Sequence, residues 1–297
     1  MPAHDGFLGL GAGDAVSYQD ARAVIVPFGL EATVSYGGGT AKGPAAIIEA
    51  SHQVELFDEE LWREPFRDWG IVTLTEPAID GGSVAAALDQ LAGITSAVVE
   101  DRKFPLVLGG EHSLTAGAIR PHLTRHDDLV VLHFDGHADL RDGYEGEHWS
   151  HAAAMRRVLD DPVVELVSVG IRNISAGEIP FLEANRGRIT VYWAKDRRQW
   201  DLDAIARELA GRTIYLTFDL DGFDSSVMPA TGTPEPGGLT WDDVMTVIKC
   251  AGEAGTIVGA DVCELAPIDN LHAPNFLAAK LGYKILCYAL GEQKDRR

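Results

Sequence analysis

Apolar residues fall into eight short runs rich in β-branched side chains: ARAVIVPF (21–28), WGIVTL (69–74), FPLVLGG (104–110), DLVVLHFD (128–135), VELVSVGI (164–171), ITVYWA (189–194), TIYLTFDLD (213–221) and TIVGADVCE (256–264). Helix-length segments separate them, which is the rhythm of βαβ units around a parallel sheet. Two of those segments, Ser83 to Asp101 and Trp241 to Ala254, carry helical periodicity. Thr240 is the expected N-cap of the second, and Asp243 three residues on makes something close to a capping box. No linker, composition shift or internal repeat interrupts the alternation. The expectation is one doubly wound α/β domain over residues 1–297, with its ligand site outside the carboxyl ends of the strands.

Polar residues cluster at those ends. FPLVLGG is followed by Glu111, His112 and Ser113; DLVVLHFD delivers Asp135, His137 and Asp139; TIYLTFDLD delivers Asp219 and Asp221; TIVGADVCE delivers Asp261 and Glu264. A single aspartate after a strand is ordinarily a helix cap or turn residue, and a lone histidine a satisfied polar group. The D-x-H-x-D run differs, because period-two spacing in extended backbone points all three side chains the same way. Carboxylates and imidazoles crowded together are costly unless a cation neutralises them. His112, Asp135, His137, Asp139, Asp219 and Asp221 supply four carboxylates and two imidazoles, more than one catalytic zinc uses. Two ions bridged by carboxylates fit better. Oxygen and imidazole ligation suits Mn²⁺, with zinc, cobalt or nickel permitted by affinity order. Two such ions about 3.5–4 Å apart make hydroxide available at neutral pH, so the chemistry implied is hydrolysis.

Charge and composition narrow the partners. Forty-five acidic against twenty-five basic side chains give a net charge of −20, which disfavours nucleic acid and favours cations or simply solubility. Cys250, Cys263 and Cys287 are an odd, widely spaced set that predicts neither disulfides nor a thiolate zinc site. No apolar run is long enough to span a bilayer, and MPAHDGFLGLGAGD lacks a basic segment followed by an apolar one, so a cytoplasmic location is expected.

GGEHS (109–113), DGHADL (135–140) and TFDLDGFDSSVMPATGTPEPGG (217–238) resemble the ureohydrolase family, which includes arginase, agmatinase, guanidinobutyrase and formiminoglutamase. Block order and spacing match over nearly the whole chain. The resemblance implies a three-layer α/β/α sandwich with a central, mostly parallel sheet, two manganese ions per subunit, hydrolysis of a guanidino group to urea and an amine, and a homo-oligomer, trimer or hexamer. It places His112, Asp135, Asp139 and Asp219 on one manganese and Asp135, His137, Asp219 and Asp221 on the other. His151 falls at a proton-shuttling histidine, with His148 in the same loop as a competitor, and Glu264 at the acid that receives the guanidinium. Gly232, Thr233, Pro234, Pro236, Gly237 and Gly238 read as a shaped loop in which backbone carbonyls or the Thr233 hydroxyl approach substrate. Glu111 stands where the family commonly has Asp, and Gly136 where Ala is common; neither is an expected ligand.

The loop after the metal run, LRDGYEGEHWS, is acidic, and the G-x-R motif continues as GIRNISAGE with Asn173 and Ser175. Acidic residues repel a carboxylate and attract a second cationic head, which favours agmatine over arginine, guanidinobutyrate or formiminoglutamate. Arg141 and Arg172 are the available counter-charges for the carboxylate-bearing substrates. A dinuclear phosphoesterase is disfavoured by the missing basic clamp, a one-zinc deacetylase by the surplus ligands, and a non-catalytic binding protein by the intact ligand set.

Overall fold

Each apolar run forms a strand: β1 (Ala23–Phe28), β2 (Ile71–Thr73), β3 (Phe104–Gly109), β4 (Leu129–Phe134), β5 (Glu165–Val169), β6 (Ile189–Tyr192), β7 (Thr213–Asp219) and β8 (Thr256–Cys263). The computed structural model describes residues 1–79 and 81–291. The strands make one sheet in the order β2-β1-β3-β8-β7-β4-β5-β6, with every pairing parallel. Alternate side chains enter two separate apolar layers. Ile25, Leu106, Leu132 and Leu216 pack on one face with the helices Gly43–Ser51, Trp241–Ala254 and Ala273–Leu290. Val24, Val107, Val131 and Tyr215 pack on the other with the helix Val84–Glu100. Both faces are covered, so the strands must be apolar throughout rather than at every second position. The result is the three-layer α/β/α arrangement.

The two periodic segments become helices with side-chain caps. Ser83 Oγ accepts the Ala86 N–H at 3.1 Å. Thr240 and Asp243 complete a reciprocal capping box, at 3.3 Å to the Thr240 hydroxyl and 2.9 Å from the Thr240 N–H. The helix Ala273–Leu290 is buried nearly all round, with its Lys284 neutralised by Asp58 at 2.8 Å.

Strand order positions the site. β3 and β4 are consecutive in sequence but separated in the sheet by β8 and β7, which the chain lays down last. The carboxyl ends of β3, β8, β7 and β4 therefore lie side by side at one edge, where a crossover in strand order opens a crevice.

Candidate metal centre

β3 leaves the sheet through Gly110, where a Cβ would stand 2.0 Å from the Leu30 carbonyl oxygen. Only glycine fits, and the tight passage brings Glu111 and His112 into the crevice. On the neighbouring strand end, Gly222 lets the chain after Asp221 lie against Asp135; a Cβ there would be 2.9 Å from the Asp135 nitrogen. The D-x-H-x-D run converges differently from expectation. β4 ends at Phe134, Gly136 turns the chain with its carbonyl accepting the Arg172 and Asn173 N–H groups, and Asp139 adopts a left-handed φ of 52°. Alternation in an extended strand would have left Asp139 too far along the edge; the turn folds it back over the others. Glu264 is also left-handed, at φ 66°. Such backbone costs on the order of 1–2 kcal/mol for a non-glycine residue, a strain that collects where side chains must be aimed.

The structure brings the six predicted residues together. His112 Nδ1 lies 3.2 Å from Asp135 Oδ2, 3.0 Å from Asp139 Oδ2 and 3.4 Å from Asp219 Oδ2. His137 Nδ1 lies 3.5 Å from Asp135 Oδ1 and 3.0 Å from Asp221 Oδ2. The two oxygens of Asp135 thus face different histidines, the disposition of a bridging carboxylate. His112 Nδ1 is buried without a hydrogen-bond partner. An orphaned imidazole nitrogen ringed by carboxylate oxygens at 3.0–3.4 Å fits the donor set that would hold a divalent cation. Cys263 also stands near His112 and Asp219, but burial raises its thiol well above the ordinary value and its Sγ–H points to the Phe218 carbonyl at 3.5 Å. It stays a neutral thiol.

Three further buried groups hold the cluster in place. Asp261 accepts from Thr217 Oγ1 at 2.7 Å and Tyr215 OH at 2.9 Å, and Thr217 Oγ1 lies 2.9 Å from His112 Nε2. The Thr217 proton is committed to Asp261, so its oxygen takes the Nε2–H and leaves the lone pair on Nδ1. His133 joins Asp135 Oδ2 at 2.8 Å to Ser168 Oγ at 3.0 Å.

Electrostatics show how strongly this arrangement wants positive charge. Burial, then repulsion by Asp135, pushes Asp139 up to about 7. Burial, then repulsion by Asp221 and Asp135, holds Asp219 well above the carboxylate range. Burial pushes Glu264 up to about 8. Burial works against the charged form of His137 too, yet Asp221 and Asp135 outweigh it and raise it to about 12. From about pH 4 the folded chain therefore holds protons that the unfolded chain has released, on Asp139 up to about 7 and on Glu264 up to about 8. Above 6.5 the same is true of His137. Below about pH 6.5 the depressed His122, His133 and His151 work the other way, but above it the unfolded histidines are neutral too, so stability of the metal-free protein falls as pH rises from 6.5 to 8, by about 1.4 kcal/mol per unit for each extra proton held. Thermal unfolding in chelator is expected to show a midpoint that drops from pH 6.5 to pH 8, with stabilisation by added Mn²⁺ larger at pH 8. A metal-free midpoint that climbs over this range would contradict the assignment.

A cavity of ≈ 340 Å³ opens above the cluster, with His137, Asp219, Asp221 and Glu264 among its lining. Glu264 Oε1 accepts the His112 N–H at 2.6 Å. His151 lines the cavity and His148 does not; the His148 ring packs against Arg157 and Trp149 instead. Thr233 is also in the wall, but its hydroxyl points to Asp221 Oδ2 at 3.3 Å, so it steadies a cluster carboxylate. Asn173 and Ser175 line the wall as well.

The structure gives two groups roles other than those expected from the sequence. The acids after Leu140 do not reach the cavity: Asp142 pairs with Arg157 at 2.7 Å, Glu145 is exposed, and Glu147 accepts the Trp149 N–H. Arg172 is no counter-charge, because its guanidinium donates to the carbonyls of Gly170, Asp221, Gly222, Phe223 and Glu235. It staples the 233–238 loop to the end of β7. The charged groups that do face the cavity wall are Arg141, stacked on Tyr144 at 5.1 Å, Glu178, whose oxygens take the Leu140 and Ser175 donors, and Glu235. Glu235 went unnoticed in the sequence, though its place between the two prolines of the shaped loop was a signal.

The arginase-family model matches residues 21–288. An N(1)-aminopropylagmatine ureohydrolase of Synechocystis is 38% identical over 293 residues, covering 95% of this chain and 93% of that protein. A Bacillus cereus agmatinase is 34% identical over 258 residues, 85% of this chain and 86% of its own. The structure of agmatine ureohydrolase from Thermoplasma volcanium superposes with a TM-score of 0.83 at 29% identity, over 94% of this chain and 93% of that one. With sheet order, strand-end cluster and near full-length likeness in agreement, this chain belongs to the arginase family and is a ureohydrolase.

Proposed function

We propose that the protein hydrolyses agmatine to urea and putrescine with two manganese ions. The observation that carries this reading is the convergence of six imidazole and carboxylate side chains with Glu264 at the base of a cavity whose wall includes Glu235. His112, Asp135, Asp139 and Asp219 would hold one ion, and Asp135, His137, Asp219 and Asp221 the other. When bound, the two ions supply the Lewis acidity that makes a water nucleophilic near neutral pH. Glu264 takes the planar guanidinium through paired charge-assisted hydrogen bonds and sets its carbon toward the cluster. Asp139 steadies positive charge there, and His151 gives the departing amine its proton. Thr233 acts from the wall, through Asp221 and against the substrate chain. A homo-oligomer, trimer or hexamer, in the cytoplasm completes the proposal.

The substrate's tail is read by the wall. Glu235 makes no side-chain hydrogen bond or ion pair among the described residues, while its carbonyl and that of Asp221 share the Arg172 Nη2, at 2.9 and 2.6 Å. A carboxylate without a hydrogen-bond or ion-pair partner among the described residues, in the wall of the same cavity, suits a distal ammonium. The N1-aminopropyl derivative of agmatine is a second reading, favoured by the 38% identity to the Synechocystis protein so named. Both are linear guanidines with a cationic tail. Urea release with Mn²⁺ from agmatine, N1-aminopropylagmatine, arginine, guanidinobutyrate, guanidinopropionate and formiminoglutamate tests the proposal. The amine-tailed pair is expected to exceed the acids by at least about tenfold in kcat/KM, the worth of one 1.4 kcal/mol charge contact. Preference for a carboxylate-bearing substrate, paired with Arg141, would overturn it.

A further inference from the structure

His151 is tied down through a ring nitrogen whose hydrogen-bond partners among the described residues are hydroxyls rather than carboxylates. Its Nδ1 lies 3.1 Å from Thr33 Oγ1, and its backbone N–H donates to the same oxygen at 3.0 Å. Thr33 in turn is locked by Glu111, which is fully buried. The Glu111 carboxylate accepts the Ala32 N–H at 2.5 Å, the Thr33 N–H at 2.6 Å, the Thr33 hydroxyl at 2.8 Å and the Ser113 hydroxyl at 2.6 Å. A hydroxyl has one proton, and here a buried carboxylate takes it. Thr33 Oγ1 therefore meets His151 with lone pairs only. A bare Nδ1 at 3.1 Å would set lone pair against lone pair, whereas an Nδ1–H makes a hydrogen bond. Ser150 Oγ, 3.4 Å from Nδ1, is the other hydroxyl within reach, at the longer distance.

We infer that Thr33 is a positioning residue: backed by Glu111, it holds neutral His151 in the Nδ1–H tautomer and so makes Nε2 the nitrogen that accepts and returns a proton in the cavity. Thr33 touches no reacting atom. Its effect is that of a carboxylate orienting an imidazole, relayed through one hydroxyl. The same contacts account for a glutamate at position 111. The longer side chain reaches Thr33 while still receiving two backbone N–H groups of the loop that carries it. The inference rests on His151 acting at the cavity, as proposed above.

The direct test is the tautomer. Two-bond ¹⁵N–¹H correlation spectra of the full chain loaded with diamagnetic Zn²⁺, with the His151 signals identified by their absence in His151→Asn, are expected to show protonated Nδ1 and bare Nε2. Thr33→Val should lose that signature and lower kcat in the Mn²⁺ enzyme by about 10- to 100-fold, part of the 10²–10⁴ that general acid–base catalysis contributes. KM and metal content should stay within about twofold. Thr33→Ser, which keeps the hydroxyl, should restore both signature and turnover. A wild-type spectrum with protonated Nε2 overturns the inference without reference to any variant, and so does a Thr33→Val protein that keeps the Nδ1–H signature. Full turnover in His151→Asn would instead overturn the proton-donor reading, while leaving the tautomer result intact.

Discussion

Asp219→Asn is expected to reduce urea release by at least about 10³-fold and to leave no more than one tightly held metal ion per chain. Asp219 Oδ2 stands 3.4 Å from His112 Nδ1, and its Oδ1 accepts the Asp221 N–H at 2.8 Å, so one side chain ties both halves of the cluster. If Asp219 is shared by two cations as proposed, losing its charge removes several kcal/mol of stabilisation of the charge that develops in reaction, and 1.4 kcal/mol is tenfold in rate. The same change should act in the opposite direction on the metal-free fold. Burial and the neighbouring Asp221 and Asp135 keep the Asp219 carboxyl well above its ordinary value, so at neutral pH its ionised form opposes folding. In chelator the variant should therefore melt higher than the wild-type chain, and in excess Mn²⁺ it should melt lower. Metal analysis and thermal unfolding in both buffers check the two signs together. A variant that retains two ions, or that is less stable in chelator, would show that Asp219 is a structural cap and no part of a cation site.

What the bare sequence disclosed, and what it hid, follows from how far each signal reaches along the chain. All eight strands could be located because strands covered on both faces are uninterrupted apolar runs, and their polar ends stand out against them. The helix Ala273–Leu290 could not be read in the same way. It is buried nearly all round, so it lacks the polar face that makes helical periodicity visible. The six cluster residues were legible because carboxylates and imidazoles crowded together at three strand ends have few other uses as a set. Their supports were not: Thr217, Asp261, His133 and Thr33 are ordinary residues until strand order sets them beside His112, Asp135 and His151. The loop after Leu140 misled for a related reason. Composition reports that Asp142 and Glu147 are acidic, but only the fold reveals that Arg157 and the Trp149 N–H claim them. Charge that matters to a substrate is charge left unpaired in the cavity wall, and pairing is a three-dimensional fact.

Glu264→Gln is expected to cut kcat/KM by about 10²–10³ while both metal ions remain, and that contrast with Asp219→Asn separates substrate capture from metal capture. Glu264 closes β8, is held left-handed, and gives Oε1 to the His112 N–H at 2.6 Å, which fixes the carboxylate and leaves its remaining lone pairs to the cavity. A guanidinium offers paired N–H donors in one plane, and a carboxylate accepts two of them side by side. Glutamine keeps the shape but replaces one acceptor with an NH₂ that meets the substrate donor to donor, and it removes the charge. Breaking a buried charge pair costs about 2–5 kcal/mol, which at 1.4 kcal/mol per decade brackets the predicted loss. Burial pushes the Glu264 carboxyl up to about 8, so glutamine also relieves a folding cost at and above neutral pH. The metal-free variant should accordingly melt higher than wild type at pH 8, with the gain fading toward pH 4, where wild-type Glu264 is protonated both folded and unfolded. Urea release, metal analysis and the pH series of unfolding midpoints test the three parts. If the variant loses metal along with activity, Glu264 belongs to the cation site; if it keeps full kcat/KM, the guanidinium is held elsewhere, and Glu235 is the next carboxylate in the cavity to test.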